Sequence, residues 1–169
     1  MPRRDDLQKV MILGSGPIRI GQAAEFDFSG SQACRALRAD GFEVVLVNSN
    51  PATIQNDPEM ADRIYIEPLL PDVVKRILEI EKPDAILAGM GGQTALNIAS
   101  NLAHSGVLAE LGVELIGCDL RAIDEAEDRD LFNQVCAEID LPISQAMACN
   151  SIDEVLAAAD ELGNYPILI

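Results

Sequence analysis

Residues 9 to 30 leave few folds open to this chain. Val10 to Leu13 is an unbroken apolar run that ends on Gly14, and glycines recur at Gly16 and Gly21 with Pro17 between them. A continuous apolar run of this length fits a strand buried on both faces, as in a parallel sheet. After Ser29 an amphipathic stretch carries Ala33, Ala36 and Leu37 at helical spacing, which predicts a helix from there. Strand, glycine loop and helix form the first half of a doubly wound unit. Ligands of such sheets bind beyond the carboxyl ends of the strands.

The glycine spacing argues against a dinucleotide fingerprint. That motif runs straight into its helix, so that pyrophosphate meets the helix N-terminus. Here Pro17 and Glu25-Phe-Asp27 stand between the loop and the expected helix, and the third glycine comes late, at Gly21. The second strand, ending at Val47, runs into Asn48-Ser-Asn-Pro51 and supplies no acid to hold a ribose. The alternative for these glycines is a tight turn with no ligand.

Further along, Asp40-Gly41 ends the first helix and Phe42 to Val47 forms the second strand. The loop Asn48 to Asp62 is long for a βα connection, which points to function. Its Asn and Asp side chains also suit plain turn chemistry. Ile64 to Glu67 reads as a strand. Asp72 to Glu81 reads as a helix burying Val73, Val74, Ile77, Leu78 and Ile80, and Asp84 to Leu87 as another strand. A second strand–glycine–helix junction follows at Ala88 to Thr94, with Gln93 and Thr94 at a helix start whose free N–H groups can hold an anion or amide. That helix runs from about Ala95 to Ala103, Val107 to Leu111 adds an apolar turn, and Val113 to Ile116 is a further strand. These elements predict one α/β domain: an open parallel sheet with helices on both faces, complete by about residue 118.

The pattern then changes. Leu120 to Asp128 and Leu131 to Ile139 read as helices, Ile143 to Cys149 as a strand, and Ser151-Ile-Asp-Glu154 as a capping box opening a helix to Leu162. Another strand begins at Tyr165, so the segment looks like the opening of a second domain.

Composition narrows the function. The chain has 169 residues and a formal net charge of −16, and beyond residue 82 only Arg121 and Arg129 face fifteen acids. Binding to nucleic acid or to an anionic membrane surface is excluded, since either needs clustered Lys and Arg. Self-repulsion of this size is screened by salt, which predicts a salt-adapted protein; the alternative is an ordinary solvated acidic surface. Cys34, Cys118, Cys136 and Cys149 form no C-x-x-C pair and read as reduced thiols of a cytoplasmic protein. The single histidine, His104, sits near a helix end and reads as capping rather than catalytic. No secretory signal and no membrane-spanning stretch is present in the sequence.

The marked stretches, taken together, resemble the large chain of carbamoyl-phosphate synthase. They are Gly14-Ser-Gly-Pro-Ile-Arg-Ile-Gly-Gln22, Glu25-Phe-Asp-Phe-Ser-Gly30, Val47-Asn-Ser-Asn-Pro-Ala-Thr53, Asp57-Pro-Glu-Met-Ala-Asp62, Ile66-Glu-Pro68, Met90-Gly-Gly-Gln-Thr-Ala-Leu-Asn97 and Ala122-Ile-Asp-Glu-Ala-Glu-Asp-Arg129. The wording is similar to the half that makes carboxyphosphate from bicarbonate and ATP. The resemblance implies a Rossmann-like pre-ATP-grasp domain over residues 1–125 and the beginning of an ATP-grasp domain over 126–169. It implies bicarbonate, ammonia and two ATP as substrates, Mg2+ or Mn2+ held by ligands expected beyond residue 169, and a role in arginine and pyrimidine synthesis. It implies two partners, a glutaminase small subunit and the remainder of the large chain. One residue, Arg129, matches a family ATP contact, and its always-charged planar guanidinium suits phosphate oxygens. The alternative for Arg129 is a surface pair with Glu125 or Asp128.

No catalytic residue and no metal ligand is expected within these residues, and the chain alone is not expected to turn over. Gly14, Gly16, Asn48, Asn50, Gly91, Gly92, Gln93 and Thr94 are expected at the sheet's ligand edge, either at a small-molecule site or organising an interface. Two other readings stay open: a non-catalytic scaffold docking on a glutaminase, and another ATP-grasp ligase such as a biotin carboxylase or a purine-pathway carboxylase.

Overall fold

Buried, branched side chains build the sheet. In the computed structural model, which describes residues 4–17, 22–163 and 165–168 (22–24 by backbone only), five strands run parallel. They are β1 (Lys9–Leu13), β2 (Glu43–Val47), β3 (Arg63–Tyr65), β4 (Ala85–Leu87) and β5 (Glu114–Ile116), in the order β3-β2-β1-β4-β5. Leu13 lies level with Val47, and Val47 with Tyr65; Ile12 lies level with Leu87, and Leu87 with Ile116. Val10 to Leu13 and Val44 to Val47 are fully buried, as the uninterrupted apolar runs require.

Helices cover both faces, and strand alternation decides which side chain meets which helix. Met11, Leu13, Val45, Val47 and Ile86 pack with α2 (Pro71–Glu81), α3 (Gly92–His104) and α4 (Val107–Leu111). Ile12, Val44 and Leu46 turn the other way, onto Cys34, Ala33 and Leu37 of α1 (Gln22–Ala39). Burial pushes the Cys34 thiol up to about 11, so it is an inert apolar filler. Pro71 opens α2, where its missing N–H costs nothing, and Lys82 closes it in the left-handed region with φ 46°. Ile80 is not on the buried face: it is 68% exposed, while Val74, Ile77 and Leu78 carry the contact.

The expected start of the first helix is corrected. Glu25-Phe-Asp27 does not precede the helix; α1 begins at Gln22 and contains Ser29 and Gly30. Glu25 lies in its first turn, where an acid opposes the positive helix end favourably. The part of the spacing argument against a dinucleotide site that placed those residues outside the helix therefore falls, while the late third glycine still departs from the fingerprint. The third glycine of the loop, Gly21, lies outside the described residues.

At the amino ends of the strands a charged cluster pins α2 to the sheet. Lys9 Nζ lies 2.9 Å from Glu43 and 3.2 Å from Glu81, and the Tyr65 hydroxyl donates to Glu81 at 2.5 Å. Burial pulls the Glu81 carboxyl up, but Tyr65 and Lys9 outweigh it and hold the group below its ordinary value. A depressed folded value stabilises above the unfolded carboxylate range and is lost as pH falls through the folded value. Glu81→Gln should cost about 1.5 kcal/mol at pH 7. The gap to the parent should close below about pH 4. Urea midpoints at the two pH values check it; a gap that persists in acid contradicts the ion cluster.

The chain divides into two compact units, the second running from Asp124. Between α5 (Leu120–Glu127) and α6 (Arg129–Glu138), the Asp128 carboxylate caps α6, accepting from the Asp130 and Leu131 N–H groups at 2.8 and 2.9 Å. Ser151 caps α7 (Ile152–Leu162), accepting the Glu154 N–H at 3.3 Å. The return bond of the capping box lands one residue early, with Glu154 Oε2 accepting from the Asn150 N–H at 2.6 Å. Ile143 to Cys149 forms no strand, nor does Tyr165 to Leu168; Ile169 lies outside the described residues. A strand exists by its ladder, and among the described residues this unit holds helices only.

Candidate functional site at the sheet's carboxyl edge

β1 sits between β2 and β4, so the chain reverses direction across the sheet at the carboxyl ends of β1 and β4. In doubly wound sheets that point is where ligands bind. The loops that meet here are Gly14 to Pro17, Asn48 to Asn56 and Ala88 to Thr94.

Side-chain amides fill the space between them. The Gly16 N–H donates to Asn48 Oδ1 at 3.0 Å, Asn48 Nδ2 donates to Gln55 Oε1 at 3.1 Å, and Gln55 Nε2 donates to the Phe26 carbonyl at 3.0 Å. Asn48 and Gln55 are 0% exposed. Thr53 seats Gln55 by capping the short 3-10 turn Ile54–Asn56, its hydroxyl accepting the Gln55 N–H at 3.1 Å. A Cβ at Gly14 or at Gly30 would collide with the Gln55 amide, so these two glycines make room for it. The Ser15 hydroxyl donates to the Asp27 carboxylate, which ties the loop to α1 a second time.

The residues expected at the ligand edge divide accordingly. Gly14, Gly16, Asn48, Asn50, Gly91 and Gly92 are buried, Thr94 is half-buried, and Gln93 alone is exposed. Asn50 Oδ1 accepts the Ala52 N–H at 2.9 Å, an Asx turn. Gln93 Nε2 donates to Asn97 at 2.9 Å. Gly91 lies against β1: a Cβ there would press on the Leu13 and Gly14 carbonyl oxygens and come within 2.6 Å of the Ala95 Cβ. A Cβ on Gly16 would stand 3.9 Å from that of Thr94, so the first turn of α3 flanks the glycine loop.

The chemistry follows from this packing. In a dinucleotide site the glycine-loop N–H faces phosphate, but here the Gly16 N–H is spent on Asn48. The end of β2, which would carry a ribose-binding acid, carries that same inward-turned carboxamide. Among the described residues the amides of this edge turn inward and bond one another, Gln93 is exposed and Thr94 half-buried, and Ser49 Oγ and Asn56 Oδ1 are buried without a hydrogen-bond partner. Gln55, the central piece of the edge, was not singled out from the sequence. The one available signal was Gly30, a glycine inside a helical stretch, which marks a close approach.

In the second unit, Arg129 is the first residue of α6 and is exposed. Its guanidinium makes no hydrogen bond or ion pair among the described residues, and the Asp128 carboxylate is engaged with the helix end instead. Among the described residues no three His, Cys, Asp or Glu side chains group to hold a metal ion.

Solved structures place the fold. The chain resembles the biotin carboxylase domain of a single-chain bacterial carboxylase with TM-score 0.66 at 17% identity, over 96% of this chain and 36% of that one. It resembles the ADP complex of an N5-carboxyaminoimidazole ribonucleotide synthetase with TM-score 0.63 at 14% identity, over 94% and 36%. The α/β fold is thus shared with these two structures. Residues 6–125 match the carbamoyl phosphate synthase preATP-grasp domain. The whole chain is 59% identical to the carbamoyl phosphate synthase large chain of Synechocystis sp. and 58% identical to that of Archaeoglobus fulgidus. The chain belongs to the carbamoyl phosphate synthase large-chain family. It spans 16% of the length of these relatives.

Proposed function

We propose that this chain is the N-terminal part of the large subunit of a cytoplasmic, glutamine-hydrolysing carbamoyl-phosphate synthase. The complete enzyme would join bicarbonate, ammonia and phosphoryl groups from two ATP, for arginine and pyrimidine synthesis. The observation that carries this reading is 58–59% identity along the entire chain to proteins of that name. No helix among the described residues is long and apolar enough to cross a membrane.

Residues 1–125 would be the pre-ATP-grasp domain and 126–169 the start of the ATP-grasp domain. ATP with Mg2+ or Mn2+ supplies the phosphoryl group when bound. Arg129 fits the nucleotide, since its exposed cation is uncommitted among the described residues and can form charge-assisted bonds to phosphate. The metal's ligands would come from the rest of the large chain. The inward-turned amides at the carboxyl edge of the first sheet support an interface role for its loops, with Gln93 and Thr94 as the contacting side chains and the large chain or the glutaminase subunit as the partner. We propose as well that the net charge of −16 adapts the protein to high salt.

Arg129→Ala tests the nucleotide assignment. In the complete large chain with its glutaminase, kcat/KM for ATP should fall about tenfold or more, the scale of one charged hydrogen bond lost. An unchanged value for bicarbonate-dependent ADP release removes Arg129 from the site.

A further inference from the structure

We infer that the remainder of the large chain, beyond residue 169, seats an uncharged, apolar surface on the carboxyl edge of the sheet, and that the glutaminase does not occupy it. The inference rests on the interface reading above and names the partner. Charge divides the two ends of the sheet. Every strand opens on or next to a charged residue: Lys9, Glu43, Arg63, Asp84 and Glu114. No strand closes on one; the residues that follow are Gly14, Asn48, Ile66, Ala88 and Gly117. The charges at the amino end engage one another and the backbone. Arg4 pairs with Glu114 at 2.8 Å, and Asp84 accepts from the Gln8 and Lys9 N–H groups at 2.7 and 2.8 Å. At the carboxyl end, Gly14 to Pro17, Asn48 to Asn56 and Ala88 to Thr94 hold no Asp, Glu, Lys or Arg, in a chain where such residues make up 24%. Between Ile66 and Leu70 only Glu67 is charged, and Arg19 lies outside the described residues.

The same end shows apolar side chains to solvent: Ile54 is 63% exposed, Ile66 51% and Leu70 55%. The loop after β3 runs beside the other two. The Asn48 N–H donates to the Tyr65 carbonyl at 3.0 Å, and a Cβ on Gly16 would stand 3.4 Å from Leu69 Cδ1. This edge belongs to the first unit, whose sheet already has helices on both faces. An exposed surface depleted of charge has the composition of an interface core. The lack of charge also selects the partner. A separate subunit gains from complementary fields that steer its encounter, and this edge offers none in a chain of net charge −16. A segment of the same chain needs no steering, because its tether holds it at an effective concentration on the order of millimolar. The present residues span 16% of the large-chain relatives, which leaves ample chain to supply that segment.

Thiol labelling of the complete large chain, without and with its glutaminase, tests this. Ile54→Cys, Ile66→Cys and Leu70→Cys each place a thiol on the edge, and Ile80→Cys, at a position 68% exposed near the end of α2, is the control. Maleimide reaction is read at each site by peptide mass spectrometry, against the same variant in urea. In the large chain alone the edge thiols should react about a hundredfold more slowly than in urea, and the control within about tenfold of it. Adding glutaminase should leave the edge rates within about twofold. Edge thiols that react freely until glutaminase is added overturn the choice of partner and keep the interface reading. Edge thiols that react freely with and without it overturn both. A control as protected as the edge overturns the contrast between the two ends of the sheet. Protection lost as KCl rises from about 0.1 M to about 1 M reveals ion pairs across the contact and overturns its uncharged character.

Discussion

Gly91→Ala should cost this protein about 3 kcal/mol, near the upper end for forcing an added methyl into a packed site. The added carbon meets backbone carbonyls of Leu13 and Gly14, which belong to the central strand and its loop and cannot rotate away as a side chain would. On one side is the Ala95 Cβ of α3, on the other β1, so relief requires α3 to shift from the sheet. At this chain length the loss corresponds to a fall of roughly 10 °C in melting temperature. Gly89→Ala is the control: a Cβ there meets nothing within 4 Å, and the same loop should tolerate it nearly unchanged. Melting both variants by circular dichroism decides the matter. Equal midpoints would mean that Gly91 is not the point of contact between the β4 loop and β1.

Asn48 should be as sensitive, through hydrogen bonds rather than volume. Asn48→Ala deprives the Gly16 N–H and Gln55 Oε1 of the buried amide that bonds both of them. Two orphaned buried groups and the cavity together put the loss at about 3 kcal/mol. Asn48→Asp separates the two contributions. Its carboxylate still accepts from the Gly16 N–H, but its second oxygen now opposes an acceptor, and the charge is buried. Both effects raise the folded pKa of the new carboxyl above an unfolded value of about 3.9. The protonated carboxyl restores the donor, so the variant should match the parent below about pH 4. The deficit opens as pH rises above the unfolded value of about 3.9 and is complete once pH passes the folded value. Urea midpoints across this range give the result. A deficit constant with pH would show that the carboxamide donor to Gln55 contributes nothing.

The sheet was readable because its code is local. Val10 to Leu13 and Val44 to Val47 are apolar without interruption, as a doubly covered parallel strand requires, and β1, β3 and β4 are each followed by a turn and a helical period. The resemblance of seven ordered motifs supplied the family. What failed depended on long-range partners. Glu25 to Gly30 looked unlike a helix because Ser29 and Gly30 are poor helix formers, yet Gly30 is there to admit the Gln55 amide from a loop far along the chain. Ile143 to Cys149 has strand character and no ladder to join within the described residues. At the carboxyl edge the sequence marked the right loops, and could not say that their amides point inward and bond one another. Asn48 reads the same on paper whether it faces a ligand or the Gly16 N–H.

The central position of β1 bears on how the protein comes into being. Strands β1, β2 and β3 leave the ribosome in sequence and can pair at once, since each new strand adds to the outer edge of the last. The other side of β1 stays open until β4 is synthesised, because β4 inserts there rather than beyond β3. Over that interval a fully apolar strand shows a bare row of N–H and C=O groups, the kind of edge on which nascent chains aggregate. Synthesis paused between Tyr65 and Ala85 would hold the chain in its stickiest state, and a chaperone with an affinity for exposed strands would find its target there.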